Sequence, residues 1–359
     1  MATDRSRRRL LAALPLVAMA TRLRAGDDAA PALLTCWADD PKRPRRFHAG
    51  RPDRPDTALA LPARGHDVLW HPSGDGSAVV VARRPGRFLM RWQVATGETL
   101  ARFDTDDAGD DIRLEGHLCA SADGQRLFVT ESELIAGLGR LGVYDAATLE
   151  RLTAWPCGGI GPHAVKRLGD GWVAVANGGV LTLPETGRLK RNLDRMDPSL
   201  TLIDDTDGRI IAQLRLPDPW MSIRHIAEGA DGRLAVALQN EGGPSRPLLA
   251  LAERGGPLRY ADANAEQQAR CGGYAGDVLA LPGGFAVSCT TAGTTAIWAA
   301  DGRFLAAHAT PRVCALTRAG DRWMATGDGG DVWLGGADLM AAPRHWRRTE
   351  ALDNHAVPA

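Results

Sequence analysis

The sequence predicts an all-β chain folded as a seven-bladed β-propeller, and three observations carry that expectation. Short apolar runs broken by Gly, Asp and Pro dominate, with no long stretch of helical period. Segments of similar pattern recur at roughly the length of a four-stranded blade. The two ends of the chain carry complementary pieces of one further unit, which neither end holds whole.

The repeat is read by aligning each segment on the residue standing where His163 stands in "PHAV". The series is His66, His117, His163, His225, Gly276, Arg312 and His355, with steps of 51, 46, 62, 51, 36 and 43 residues. A propeller blade takes about 40–50 residues, so the series fits seven blades with some long loops. Each unit opens on a short apolar strand such as "DVLW" (Asp67–Trp70). A tight turn follows, as in "SADG" (Ser121–Gly124) or "GADG" (Gly229–Gly232). Gly in such a pair takes the positive φ of a hairpin at little cost. The second strand is apolar ("SAVVVA", "RLFVT", "WVAVA"). A third leads into another Gly or Thr turn, and a fourth exits. Four antiparallel strands per unit around an axis make a propeller.

The seventh unit closes the ring. "NHAV" near the C-terminus is an inner strand with no unit after it. "LLTCWA", "RFHAG" and "TALAL" near the N-terminus are strands with no inner strand before them. Joined, they complete a blade and remove an open sheet edge. Residues 31–359 are expected to form a single propeller domain.

Residues 1–25 read as an export signal. "SRRRLL" (Ser6–Leu11) precedes a short apolar run that ends in the small residues of "AMA" (Ala18–Ala20). The paired Arg7 and Arg8 favour the twin-arginine route, and hence a periplasmic protein. The apolar run is too short to span a bilayer, and no later run approaches that length. With 43 basic and 43 acidic residues the net charge is zero, so no global field draws the chain to nucleic acid or an acidic membrane. None of the six cysteines forms a C-x-x-C pair or a haem-attachment motif. Most read as small buried thiols, and the sequence does not choose among disulfide pairings.

Longer motifs carry a family resemblance. "LPARGHDVLWHPSGDGSAVVVARRPGRF", "SADGQRLFVTES" with "GRLGVYDA", "GIGPHAV", "VANGG", "RNLDRMDPSL" and "SIRHIA" resemble the bacterial domain-of-unknown-function family 1513, over nearly all of the chain beyond the leader. The resemblance implies a seven-bladed propeller of the quinoprotein-dehydrogenase-like or YVTN-like class. It also implies a periplasmic role in iron acquisition, since members are often encoded beside imelysin-type and di-haem oxidoreductase-like proteins. This chain departs from the pattern at Cys119, where a small or apolar residue is more usual, and in a short, weakly patterned blade six.

Corresponding positions on different blades ring one opening, so five histidines are the ligand or metal candidates: His66, His117, His163, His225 and His355. Neutral imidazole is the commonest protein ligand for transition metals, so the ring could hold iron or another transition metal such as copper or zinc, or an anion once protonated, and the sequence leaves the cofactor unknown. Arg64, Arg224 and Arg312 stand in or beside the ring and favour a carboxylate- or phosphate-bearing ligand. Asp67, Glu115 and Asp277 add carboxylates within a residue or two. A purely structural reading competes, in which each histidine caps its own strand end by a backbone hydrogen bond. The insertion "GRLKRNLDRMDPSL" (Gly187–Leu200) reads as a loop by composition and as a lid over the channel by resemblance. "ARRPGR" (Ala82–Arg87) reads as a solvated basic hairpin.

The chain has no G-x-S-x-G, H-E-x-x-H or P-loop motif. The first functional expectation is therefore a non-catalytic periplasmic accessory protein that binds a metal or ligand at the channel mouth. The family resemblance adds imelysin-type iron-uptake proteins as candidate partners. The alternatives are a quinoprotein-like oxidoreductase or lactonase-like hydrolase, and a protein-interaction scaffold.

Overall fold

The computed structural model describes residues 30–40, 44–107, 111–182, 189–253 and 255–359. The expected export signal, with Arg7 and Arg8, lies outside them.

Seven four-stranded antiparallel sheets form the chain from Pro31 onward. In six of them the strands follow in sequence order from the axis outward. Their inner strands are Gly65–Trp70, Ile112–Ala120, Pro162–Arg167, Met221–Glu228, Ala275–Leu281 and Val313–Ala319, for blades one to six. Blade seven has the order Ala351–Pro358, Leu33–Ala38, Phe47–Gly50, Leu59–Leu61. Leu33 pairs with Pro358 and Trp37 with Leu352 in an antiparallel ladder, so the last strand of the chain is the inner strand of the first-built blade. Each inner strand packs against the inner strands of both neighbouring blades, and the ring closes.

The core lies between blades, and the reason is the two-residue period of a strand. Every residue of Ser77–Ala82 in blade one is buried. Ala78, Val80 and Ala82 pack toward blade seven with Leu34, Cys36 and Leu59. Val79 and Val81 turn the other way, onto Leu114, Leu118 and Tyr144 of blade two. A strand buried on both faces shows no alternation, which explains why the second strands read as unbroken apolar runs.

Blade six is fully formed despite its weak pattern, with strands Arg322–Gly327, Asp331–Gly335 and Arg344–Arg347 outside its inner strand. Among the described residues one short α-helix, Ala265–Cys271, links blades four and five and escapes the sequence reading. Its signal was present as Asn264 and Gln267. The Asn264 side chain accepts from the Gln267 backbone, and the Gln267 side chain accepts from the Asn264 backbone. All six cysteines are free thiols, five buried and Cys119 partly so.

The inner strands share one irregularity that positions the site. Each breaks register with its neighbour at the channel end. In blade one, Gly65 pairs with Ala82 and Asp67 with Val81, leaving His66 unmatched. In blade four Arg224 is the extra residue, between Ile223 and His225. Blades five and six repeat the bulge at Gly276 and Cys314. Blade three breaks register between Pro162 and Val165, blade two between Leu114 and Leu118, and blade seven between Leu352 and Ala356. A bulge twists the strand and re-aims the side chains beside it, here toward the axis.

Candidate functional site

The bulges bring all five candidate histidines together. Ring centroids are 4.5 Å apart for His117–His163, 4.7 Å for His66–His355 and 4.8 Å for His163–His225 and His117–His355. His66–His117, His117–His225 and His225–His355 are 5.1, 5.2 and 5.3 Å apart. His66, His117, His225 and His355 are buried. His163 is half-buried as a residue, though its Nδ1 is enclosed.

The local sequence permits this crowding. The Gly116 Cα lies so close to His66 that a Cβ there would stand 2.7 Å from Cδ2 of the imidazole. Gly116 also has φ +97°, a conformation that L side chains rarely adopt. The Gly of "EGHLC" is therefore required both by its own backbone and by the imidazole of the neighbouring blade.

Carboxylates stand behind the rings. His66 Nδ1 lies 3.1 Å from Asp353 Oδ1, His117 Nδ1 3.5 Å from Asp67 Oδ2, and His225 Nδ1 3.6 Å from Asp277 Oδ1. His355 Nδ1 lies 3.9 Å from the other oxygen of Asp277. A carboxylate facing Nδ1 draws the ring proton to that nitrogen and leaves Nε2 with its lone pair. The His117 Nε2 is enclosed and has no hydrogen-bond partner, and the same holds for His163 Nδ1. These carboxylates are themselves held: Asp67 accepts from Val68 N at 2.9 Å, and Asp277 from Val278 N at 2.8 Å and Leu316 N at 2.9 Å.

Burial works against charge at four of the five rings. Burial pushes His66, His163 and His225 well below the ordinary imidazole range, and the neighbouring imidazoles push further. Burial lowers His355 to about 4, aided by His117. The two carboxyls diverge. Burial would raise Asp67, but a hydrogen bond from His117 and the surrounding imidazoles turn its shift downward. Burial dominates at Asp277, which rises to about 7 in spite of two backbone N–H bonds.

Neutral rings with free lone pairs are what a transition metal requires. Two triads, His66–His117–His355 and His117–His163–His225, each offer one ligand atom per residue within 4.8 Å of one another, and His117 belongs to both. The residues present therefore fit a metal ion.

The other candidates divide. Arg64 reaches Asp353 through Nε and so braces the carboxylate behind His66. Glu115 is buried and accepts from Ser132 Oγ at 2.6 Å. Arg224 is buried beside Glu241, with Nη2 3.3 Å from Oε1. Arg312 stands apart: it precedes its strand at φ +65° and forms an exposed pair with Asp328. In blade six the structure puts Cys314 at the bulge, two residues beyond the position aligned from the sequence. Asp353 was missed, although it lies two residues before His355 in "DNHAV". Arg84, Lys190 and Glu241 were also missed, since their contacts cross blades and loops.

The four remaining histidines serve packing. His48 stacks on Trp37 and His345 on Trp333. His71 Nε2 lies 2.9 Å from Ala146 O and His308 Nε2 2.8 Å from Leu339 O.

Comparisons place the fold among known structures. The computationally designed Ika8 protein is similar with TM-score 0.54 and 12% identity, over 90% of each chain. Raptor of Chaetomium thermophilum matches with TM-score 0.57 and 10% identity, over 80% of this chain and 25% of its own. A streptogramin B lyase matches with TM-score 0.56 and 14% identity, over 79% of this chain and 83% of its own. At these identities the likeness is one of fold. No curated protein matches in sequence. A family model does match, over residues 59–359, and on that ground the chain belongs to the family described as "Protein of unknown function (DUF1513)".

Proposed function

We propose that this protein is an exported, periplasmic metal-binding accessory protein, with the axial histidine cluster as its metal site. One observation carries the reading: four imidazoles have Nδ1 facing a carboxylate, and the enclosed Nε2 of His117 has no partner inside the protein. A carboxylate behind the ring of a metal-binding histidine is the usual supporting arrangement. The donor set, imidazole nitrogen throughout, suits zinc, copper, iron or nickel. The family resemblance favours iron, and with it a place beside imelysin-type proteins in iron acquisition. The leader with Arg7 and Arg8 supports export by the twin-arginine route, which delivers a folded protein and so is compatible with metal loading before export.

The test is metal analysis of protein purified from periplasm. Metal should survive dialysis in the wild type and disappear in the His117→Ala, His163→Ala double variant. Equal metal content in both would defeat the reading.

A second reading, a propeller enzyme, has one observation behind it. Asp277 is a buried carboxyl with a pKa of about 7, a value suited to a general base near neutral pH. Turnover of lactones or peroxides by the purified protein that is lost in Asp277→Asn at saturating metal would favour catalysis.

A further inference from the structure

The His163 side of the cluster carries an excess of positive charge that the metal reading does not use. Arg224 is the bulged residue of blade four, with its side chain 3% exposed. Its Nη2 meets Glu241, but its Nε is enclosed and has no hydrogen-bond partner. Glu241 is shared, because Lys190 of the long blade-three insertion reaches its other oxygen. Gly178 forms the wall: a Cβ there would stand 3.0 Å from Arg224 Nη1 and 3.0 Å from Ser222 Oγ.

A second guanidinium comes from blade one. Arg84 Nη1 lies 3.7 Å from Glu115 Oε2, beyond hydrogen-bonding distance, and Ser132 already donates to the other oxygen of that carboxylate. Three cations, Arg84, Lys190 and Arg224, thus meet two carboxylates, Glu115 and Glu241. Arg84 and Arg224 are close enough to His163 for both charges to depress its protonation, after burial and the neighbouring imidazoles. Burial and then the charge of Arg84 also lower Arg224 itself. A buried guanidinium with an unused N–H, in the field of a second guanidinium, suits an anion, since the Arg fork matches paired oxygens. The other two arginines singled out in the sequence do not compete, because Arg64 is held by Asp353 and Arg312 by Asp328.

We propose that Arg84 and Arg224 hold a small oxyanion beside His163, where it completes the coordination of a metal bound by His117, His163 and His225. This rests on the metal reading. The anion arrives either free, as bicarbonate or phosphate, or as the carboxylate of a chelator that brings the metal in. Its oxygens take the unused guanidinium N–H groups on one side and the metal on the other. Lys190 bears on Glu241 and so on the Arg224 guanidinium.

The experiment uses the full-length folded protein, stripped of metal and titrated with Co²⁺ in buffer free of carboxylate and phosphate. Bicarbonate, inorganic phosphate or citrate is then added in separate arms. The visible spectrum of bound Co²⁺ should change saturably with at least one anion, and the arm that does so tells a free anion from a chelator. In Arg84→Gln, whose side chain is partly exposed and leaves the Arg224–Glu241 pair intact, the concentration needed should rise about ten- to hundredfold. Co²⁺ binding with no response to any anion overturns the inference and leaves the metal reading standing. If Co²⁺ does not bind, the metal reading falls. Phosphorus NMR of inorganic phosphate with the metal-free protein then decides the anion site alone. Line broadening lost in Arg84→Gln supports it, and the absence of broadening overturns it.

Discussion

Blades seven, one, two, three and four each bring an imidazole to the axis, whereas blades five and six bring none. Blades one, four, five and six share a single-residue bulge and differ there in side chains, His66 and Arg224 on one arc, Gly276 and Cys314 on the other, while blades two, three and seven break register over a longer stretch. The backbone device belongs to the whole ring, and the site belongs to the residues placed on it. The contrast is sharpened by Asp277, which comes from the arc that brings no imidazole to the axis yet faces His225 and His355. That arc supplies a carboxyl behind two rings instead of a ring of its own.

The strongest way to break this comparison is at His117, the residue both triads share. His117→Ala should weaken metal binding by at least about a hundredfold, the upper range for losing even a supporting group. His66→Ala and His163→Ala, which each disable one triad, should do less. Competition with a chromophoric chelator measures all three, and equal losses would argue against a shared ligand.

The two arcs should also oppose each other in pH. His355 titrates near 4 in the folded protein against an ordinary 6.5, so the folded state binds fewer protons than the unfolded chain between those values. Its contribution makes stability rise with pH across that window. Asp277 has the reverse sense. Its pKa of about 7 against 3.8 means that the folded state holds an extra proton, and stability falls as pH rises through the same range. Asp277→Asn removes the falling part. In chelator-treated protein, the gain in unfolding free energy from pH 4 to 6.5 should exceed that of the wild type by about 3 kcal/mol. Urea unfolding across the series measures it, and parallel wild-type and variant slopes would contradict the buried, protonated state of Asp277.

Gly116→Ala tests whether the histidine arc depends on its glycine. The added methyl meets His66 and the φ is unfavourable, so a cost of about 2 kcal/mol is expected. Gly74, also at positive φ but with open space around it, is the control and should lose less. Thermal unfolding of the two variants makes the comparison, and equal losses would remove the steric argument. The smallest effect is expected at Arg312. Arg312→Ala breaks only an exposed pair with Asp328 and should change stability by no more than about 1 kcal/mol and metal affinity not at all.

Much of this was legible in the sequence. The repeat in "GHDV", "GHLC", "PHAV", "RHIA" and "NHAV" marks the inner strands, because an apolar run after a tight break is what a strand leaving the axis needs. Blade closure was legible for the same reason, from strands at each end that lack partners. The Arg312 alignment shows the limit. With no histidine in the inner strand of blade six, pattern alone could not see that Cys314 occupies the bulge. Arg84 read as part of a solvated hairpin because its surroundings come from blades two, three and four, far away in sequence. Asp353 was passed over because nothing local says that it will face the ring of His66, 287 residues earlier.

The sequence by itself determined the class of fold, the number of blades, the closure of the ring and which histidines lie at its axis. All four follow from short-range pattern, namely strand period, turn residues and repeat length. Only the tertiary structure decided that Nε2 of His117 and Nδ1 of His163 are left without partners, that Asp67 and Asp277 shift in opposite directions, and that Arg224 is left with an unmatched N–H. Those properties depend on burial and on distances between groups from different blades. A ring of bulged strands sets such distances through packing across the axis, where sequence neighbours have no part.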